Sequence, residues 1–464
     1  MKKILIILIF CCNTFSFSQE VKNSLSLEEY LGYVKKYHPL LKQAKLTTSN
    51  GEAKLLKARG AFDPKIEVDY TRKNFKNTEY YNKLNTTFKI PTWYGIEFKA
   101  NYENNDGYYL NPEFKTPEKG LYSAGVSVSL AKGLLINKRM ASLKQAKLYR
   151  KQSIEKQKLL VNEILYNAIN SYFKWLKNYQ TQLVYNNYLT NAKTRLDNVR
   201  KSFIAGDKPA VDTLEANINL KNRLLDLEKS KISHTKSKLE LSNYLWLNND
   251  LPLELSDLIT PDLNTINNID LVLGNSIIKA ASFNTNNHPK LKALQLKKEG
   301  FKVSRKLKLN NLLPKIDLQY NFLTTDYQKI NTLSTSNYKG GLNVSLPLFL
   351  RKERADLKLA NLKLKEIDFD ISSTKVAIDN KIKSNTEQIN SYKEQNRILN
   401  DLAKDYKQLL KSEERKFYLG EGSMFLVNYR EVKSIENELK LIKNQFSYFK
   451  SKSTLLKTLN SFSL

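Results

Sequence analysis

The sequence predicts an α+β chain made by tandem duplication, in which short alternating strands feed very long coiled-coil helices. Three observations carry that expectation. The stretch from His38-Pro39 through Pro64-Lys65-Ile66-Glu67-Val68-Asp69-Tyr70 recurs from His288-Pro289 through Pro314-Lys315-Ile316-Asp317-Leu318-Gln319-Tyr320, at a constant offset of 250 residues. Runs of period two stand between stretches with apolar spacings of three and four. Pro and Gly are missing from Arg139 to Phe203 and from Lys352 to Tyr418. Nothing therefore interrupts two helices that reach roughly 100 Å each at 1.5 Å per residue.

The N-terminus begins with Lys2-Lys3, an apolar run from Ile4 to Cys12, and the small residues Ser16 and Ser18. That is a secretory signal over residues 1–18, too short for a membrane span. Cys11 and Cys12 leave with it, so the mature chain is expected to have no thiols. Phe10 stands before Cys11, where a lipoprotein signal needs a small residue. The remainder divides into a first repeat, 19–249, and a second, 250–464. No later run reaches the ~18 apolar residues of a transmembrane helix, so any membrane entry must be made by strands. The formal charge of +30 is mostly Lys spread through every helix. It reads as compositional bias and not as a nucleic-acid surface, and no nucleic-acid partner is expected.

Taken in order, Ser26-Leu27-Glu28-Glu29 is a capping box, and its helix closes at His38-Pro39. A second helix, about 39–60, puts Leu40, Leu41, Ala44, Leu55 and Ala58 on one side. Strands are expected over about 65–131, with Ile66, Val68 and Tyr70, then Ile96, Phe98, Ala100 and Tyr102, then Tyr122 to Leu130 alternating with polar neighbours. The second repeat has its strands over about 315–347. From Tyr70 to Tyr122 the first repeat is 34 residues longer than the second is from Tyr320 to Tyr338. The surplus reads as an extra hairpin, Leu84–Ile90 and Gly95–Tyr102 around Pro91–Tyr94. It either joins the other strands or folds over one mouth. Helical hairpins follow at 139–247 and 352–462, separated by a segment over about 250–287. Tyr80, Tyr81, Trp93, Tyr94, Tyr108, Tyr109 and Tyr338 collect at strand ends, as in the aromatic girdles of an outer-membrane barrel. The competing reading is a soluble β-sandwich.

Chemistry is sparse. His38, His234 and His288 are too scattered for a metal site, and the two His-Pro pairs read as helix breaks. There is no phosphate-binding glycine loop, no Gly-x-Ser-x-Gly and no cysteine nucleophile. Neither an enzyme nor a cofactor is expected.

Two turns complete the pattern. Phe203-x-x-Gly206 precedes Asp212-x-Leu214-x-Ala216, and Phe417-x-x-Gly420 precedes Ser423-Met424-Phe425-Leu426-Val427. With the duplicated strands and helices, the chain resembles the TolC-type outer-membrane efflux proteins over essentially its whole mature length. The resemblance implies a homotrimer whose strands share one outer-membrane β-barrel and whose coiled-coil helices form a periplasmic tunnel. It implies an exit duct for a tripartite efflux or type I secretion system, in contact with outer-membrane lipid, a periplasmic adaptor and an inner-membrane transporter. It places adaptor docking at Phe203, Gly206, Phe417 and Gly420, and a constriction at Asp212, Met424, Phe425, Leu426 and Tyr429. A relative's acidic ring falls here on Leu426 and Tyr429, so an apolar closure is expected. Better-known members place four strands per protomer in the barrel. The competing function is an exported coiled-coil adhesin or scaffold with a soluble β head.

The mature protein is expected to begin at Gln19, with Ser16 and Ser18 at the −3 and −1 positions. Intact mass or N-terminal sequencing checks this; a chain starting at a lipidated cysteine contradicts it.

Overall fold

A computed structural model describes residues 24–274 and 276–462. The signal segment, its cleavage site and both cysteines lie outside the described residues. The chain opens with β1 (Ser24–Leu25), α1 (Leu27–Tyr37) and α2 (Pro39–Arg59), then four strands: β2 (Lys65–Phe75), β3 (Thr78–Pro91), β4 (Ile96–Asp106) and β5 (Leu121–Ser129). The hairpin α3 (Lys138–Ile204) and α4 (Ala210–Ser242) follows. Then come β6 (Thr260–Pro261), α5 (Ile269–Leu273), α6 (Ser276–Ala281), α7 (Pro289–Asn310), β7 (Lys315–Thr324) and β8 (Tyr338–Ser345). The second hairpin is α8 (Arg351–Tyr418) and α9 (Met424–Thr458).

Local chemistry sets the boundaries. The Ser26 hydroxyl accepts the Glu29 N–H at 3.2 Å, as the capping box requires. His288 does more than break a helix: its Nδ1 accepts the Lys290 N–H at 3.1 Å and caps α7, with Pro289 at the first helical position. α4 stops at Ser242, short of the expected 247. Beyond it Leu247 N–H bonds to Leu251 and Leu253 N–H to Leu245, at 2.8 and 3.0 Å. Asn249 and Asp250 at φ 62° and 57° make the reversal. Asn and Asp tolerate that left-handed conformation, so the turn wins over the helical spacing of the leucines. The last helix likewise ends at Thr458, short of 462.

The described residues form two compact units, 24–39 with 164–281 and 385–456, and 40–163 with 282–384 and 457–462. Each draws on both repeats. In the first, the largest buried side chains include Tyr30, Tyr172 and Trp175. Tyr172 donates to the Leu25 carbonyl at 2.9 Å, and burial pushes its hydroxyl up to about 12. Trp175 donates to His234 Nε2 at 3.0 Å. In the second, α2 packs on the start of α3 through Leu55, Ala58, Leu143 and Ala146. Gly51 permits the approach, since a Cβ there would lie 2.9 Å from Ser153 Oγ and 3.2 Å from Arg150 Cα.

The second unit also holds one antiparallel six-stranded sheet, ordered β2-β3-β4-β5-β7-β8. The surplus hairpin is therefore β3 and β4, and it lies within the sheet. β5 pairs with β7, Val126 opposite Tyr320, so the two repeats share one ladder. Lys76 and Asn77, both at positive φ, make the β2–β3 turn, as tight hairpins with matching twist require.

All three histidines are held below their ordinary pKa, first by burial. The unfolded chain then binds more protons, so stability is complete above about pH 6.5 and declines as pH falls below it. His288→Asn keeps a capping acceptor and removes a titrating group, so its melting temperature should fall less than wild type between about pH 7 and 5. Parallel curves would contradict the assignment.

Candidate functional site

The sheet has two chemically opposite faces. On one, Ile66, Val68, Phe88, Ile90, Phe98, Val126, Val128, Leu318, Leu342 and Val344 align through the register, as in Ile66 opposite Phe88, Ile90 opposite Phe98 and Phe98 opposite Val126. On the other lie Glu67, Thr87, Lys99, Asn101, Ser127, Asp317, Gln319, Asn321 and Asn343. Period-two alternation produces this separation. Phe98, Leu342 and Val344 are exposed to solvent in the single chain, and every residue of both edge strands β2 and β8 is exposed. An apolar face of that size marks a surface built for contact.

The aromatics divide between the two strand ends. Tyr80, Tyr108 and Tyr109 cluster with ring centroids 4.6 and 4.9 Å apart. Tyr338 stacks on Tyr320 at 5.3 Å. Trp93 and Tyr94 occupy the turn at the opposite end of β3 and β4. Two of the expected girdle residues do not present their rings on the apolar face. Tyr81 shares the pleat side of Lys83 and Asn85, with the Lys83 ammonium 4.8 Å from its ring. Trp93 stacks on Phe62 at 5.7 Å, and its carbonyl accepts from Asn137 at 3.0 Å.

The two Phe-x-x-Gly turns have one geometry. Gly206 and Gly420 adopt φ of 84° and 82°. Gly206 N–H bonds to the Phe203 carbonyl and Asp207 N–H to Ser202; Gly420 bonds to Phe417 and Glu421 to Lys416. This is the Schellman closure, which needs a residue free to be left-handed at that point. The side chains differ. Phe203 is 45% exposed, whereas Phe417 is 3% exposed. Phe417 and Met424 (1%) sit in one cluster with Leu196, Val199, Ala216 and Val427. Neither side chain is presented at the surface of this chain; both hold the turn in place, because the large apolar group seals the junction of the two hairpins. Lys208 donates to the Phe417 carbonyl at 3.1 Å and lies 4.2 Å from its ring, so the structure brings the two turns together. Phe425, Leu426 and Tyr429 are exposed, while Asp212 is half-buried. Leu426 and Tyr429 stand one helical turn apart on α9.

Sequence reading missed the charge network behind these turns. Glu431 has no exposed surface, yet Arg195 approaches it at 2.5 Å and Arg223 at 3.1 Å. Arg195 also reaches Glu414 at 2.6 Å, and Arg223 reaches Asp226 at 3.1 Å. α3, α4, α8 and α9 are thus joined through one buried carboxylate. Burial opposes the Arg195 charge, but Glu431 and Glu414 outweigh it and raise its pKa. One signal was available: in a chain this rich in Lys, each Arg marks a place where a planar fork is needed. Among the described residues no group of three or more His, Cys, Asp or Glu is placed to hold a metal ion, and no helix is long and apolar enough to cross a membrane.

No protein-family model and no curated protein matches the sequence. Solved structures do match the fold. OprN, described as an outer-membrane channel, aligns with TM-score 0.66 at 12% identity over 93% of this chain and 89% of that one. The Campylobacter jejuni outer membrane channel CmeC aligns with TM-score 0.64 at 14% identity, covering 93% and 85%. The outer membrane protein VceC of Vibrio cholerae aligns with TM-score 0.65 at 12% identity, covering 93% and 95%. At these identities the likeness is one of fold, and the fold is that of TolC-type channels.

Removing one partner from a buried ion network leaves uncompensated charge and costs about 3–5 kcal/mol. Glu431→Gln should destabilise the chain by that order in denaturant titrations. Glu436→Gln, which breaks an exposed pair with Lys433, should leave the midpoint unchanged. Equal effects would remove the network's structural role.

Proposed function

We propose that the chain is one protomer of a trimeric outer-membrane exit duct. In this reading it is a passive conduit whose barrel lies in the outer membrane and whose helices extend into the periplasm toward an adaptor and an inner-membrane transporter. The observation that supports it best is the sheet with an apolar face, a polar face and two unpaired edges. Backbone groups in a bilayer must all be paired, so an open sheet cannot remain open there. The sheet has an even number of antiparallel strands, so β8 of one copy can continue into β2 of the next in antiparallel sense. Three copies of six strands then close an eighteen-stranded barrel. The helices offer a matching seam. Val211, Ile218, Leu225, Ile232 and Leu239 of α4 recur every seventh residue, and all are exposed, which is the spacing of a coiled-coil contact with another helix.

Adaptor docking falls to the paired turns, with Phe203 offering its side chain and Gly206, Phe417 and Gly420 fixing the backbone shape. The constriction falls to Phe425, Leu426 and Tyr429, with Asp212 and the buried Met424 alongside. An apolar constriction blocks ions by dewetting and needs no acidic ring.

Two experiments test this. Cysteines placed at Ile96 and Phe98 in the membrane-embedded protein should resist aqueous thiol reagents, and free labelling of both rules out a barrel containing β4. In planar bilayers, Leu426→Ala with Tyr429→Ala should raise single-channel conductance, and divalent cations should block the wild type weakly. Strong divalent block would demand an acidic ring and overturn the apolar gate.

A further inference from the structure

Where the strands give way to helices, the polar face of the sheet opens into a cavity of about 780 Å³. Its walls carry six basic side chains, Lys99, Lys132, Lys138, Arg139, Lys308 and Lys315, against two acidic ones, Glu97 and Asp317. The acids are already matched. Arg139 lies 2.7 Å from Glu97 and Lys315 3.0 Å from Asp317, while Lys308 turns to Asp356 at 2.6 Å. Lys99, Lys132 and Lys138 are left without an ion pair among the described residues, and the buried Nε of Arg139 has no hydrogen-bond partner there.

The placement of these cations is costly on its own terms. Lys138 and Arg139 form the start of α3, whose first turn contains no acidic residue. A helix N-terminus carries partial positive charge, so cations there are unfavourable unless an anion offsets them. Lys99 also lines a second cavity of about 220 Å³ farther along the same face, together with Lys89, Lys339 and one acid, Glu103. Lys89 is paired with Glu67, so it is Lys99 and Lys339 that carry the positive charge along the sheet. Every strand residue of the larger cavity lies on the pleat side of Lys99, Ser127 and Gln319, opposite Phe98, Val126 and Leu318. An occupant thus meets the polar face, which a lipid headgroup on the apolar face does not reach.

Resting on the conduit reading above, we propose that this cavity is an anion site on the pore side of the barrel. It takes small multiply charged anions, such as polyphosphates and polycarboxylates, and biases passage toward anionic solutes. Asn137 caps the start of α3 through the Met140 N–H, so the donors such a ligand needs come from the three ammonium groups that stand outside any ion pair among the described residues. Repeated in every protomer around the axis, they also make a ring of one sign, which selects ions in pores.

Isothermal titration of the detergent-solubilised full chain with tripolyphosphate tests the site without requiring conduction. Wild type should bind saturably, and Lys99→Gln with Lys132→Gln and Lys138→Gln should weaken binding by about tenfold or more, since losing one charge-assisted hydrogen bond is worth roughly a factor of ten. Absence of saturable binding, or equal binding by the variant, overturns the site. The reversal potential in a potassium chloride gradient tests the consequence: wild type should pass chloride more readily than potassium, and the variant should lose that preference. Cation selectivity in the wild type overturns the proposed bias while leaving the conduit intact. Binding by a protein that forms no channel would retain the site and remove the conduit.

Discussion

A backbone N–H or C=O taken out of water must find a partner, and the six-stranded sheet meets this requirement everywhere except along two edges. Much else about the chain follows from that one deficit. Lys76-Asn77 turns β2 back on β3 with a tight hairpin, so no backbone is lost at that end. The ladder between β5 and β7 fuses the two repeats, leaving only β2 and β8 open. The whole register of β2 is with β3 and that of β5 on the same side is with β4, so the hairpin supplies every bond that ties β2 to the rest of the sheet. The surplus hairpin is thus an integral part of the sheet.

The helical end meets a different constraint. Four helices of two hairpins converge there with apolar residues packed around Phe417 and Met424, and they also enclose Glu431 between two arginines. Apolar packing tolerates rotation and sliding of helices. A buried carboxylate with fixed forks on both sides does not, since any shift leaves a charge without its partner. The carboxylate therefore sets register where leucines alone would leave it loose. Tyr188, bonded to Ser434 at 2.8 Å and Glu438 at 3.0 Å, extends that fixed arrangement, and burial followed by the nearby Glu438 charge holds its hydroxyl protonated.

Much of the fold was legible because it is periodic. The duplicated His-Pro and Pro-Lys-Ile segments, the alternating strands and the uninterrupted long helices all depend on local spacing, and the structure bears them out to within a residue or two at most boundaries. The end of α4 was not legible, because Asn249 and Asp250 override a leucine spacing that continues the helix. The asymmetry between Phe203 and Phe417 was hidden as well: identical motifs met different neighbours, and neighbours are tertiary. The pleat side of Tyr81 was not legible, because counting aromatics at strand ends does not assign it. The Glu431 network joins residues more than two hundred positions apart, and a single sequence carries no trace of such a pairing beyond the choice of Arg over Lys. The basic cavity was hidden by the same bias, since an evenly Lys-rich sequence conceals which lysines converge.

The ladder between β5 and β7 has a kinetic consequence. Ser129 and Asp317 hydrogen-bond across 188 residues of intervening chain, nearly all of which must be synthesised before β5 can acquire its neighbour. Until then the β2–β5 meander carries an uncovered edge at β5 and an apolar face in water, a form prone to pairing with strands of other molecules. Long-range pairing of this kind is slow because loop closure precedes any gain from contact. The nascent protein thus passes through an interval in which it depends on being held apart from its neighbours, and the length of that interval is set by the helical hairpin lying between the two halves of its sheet.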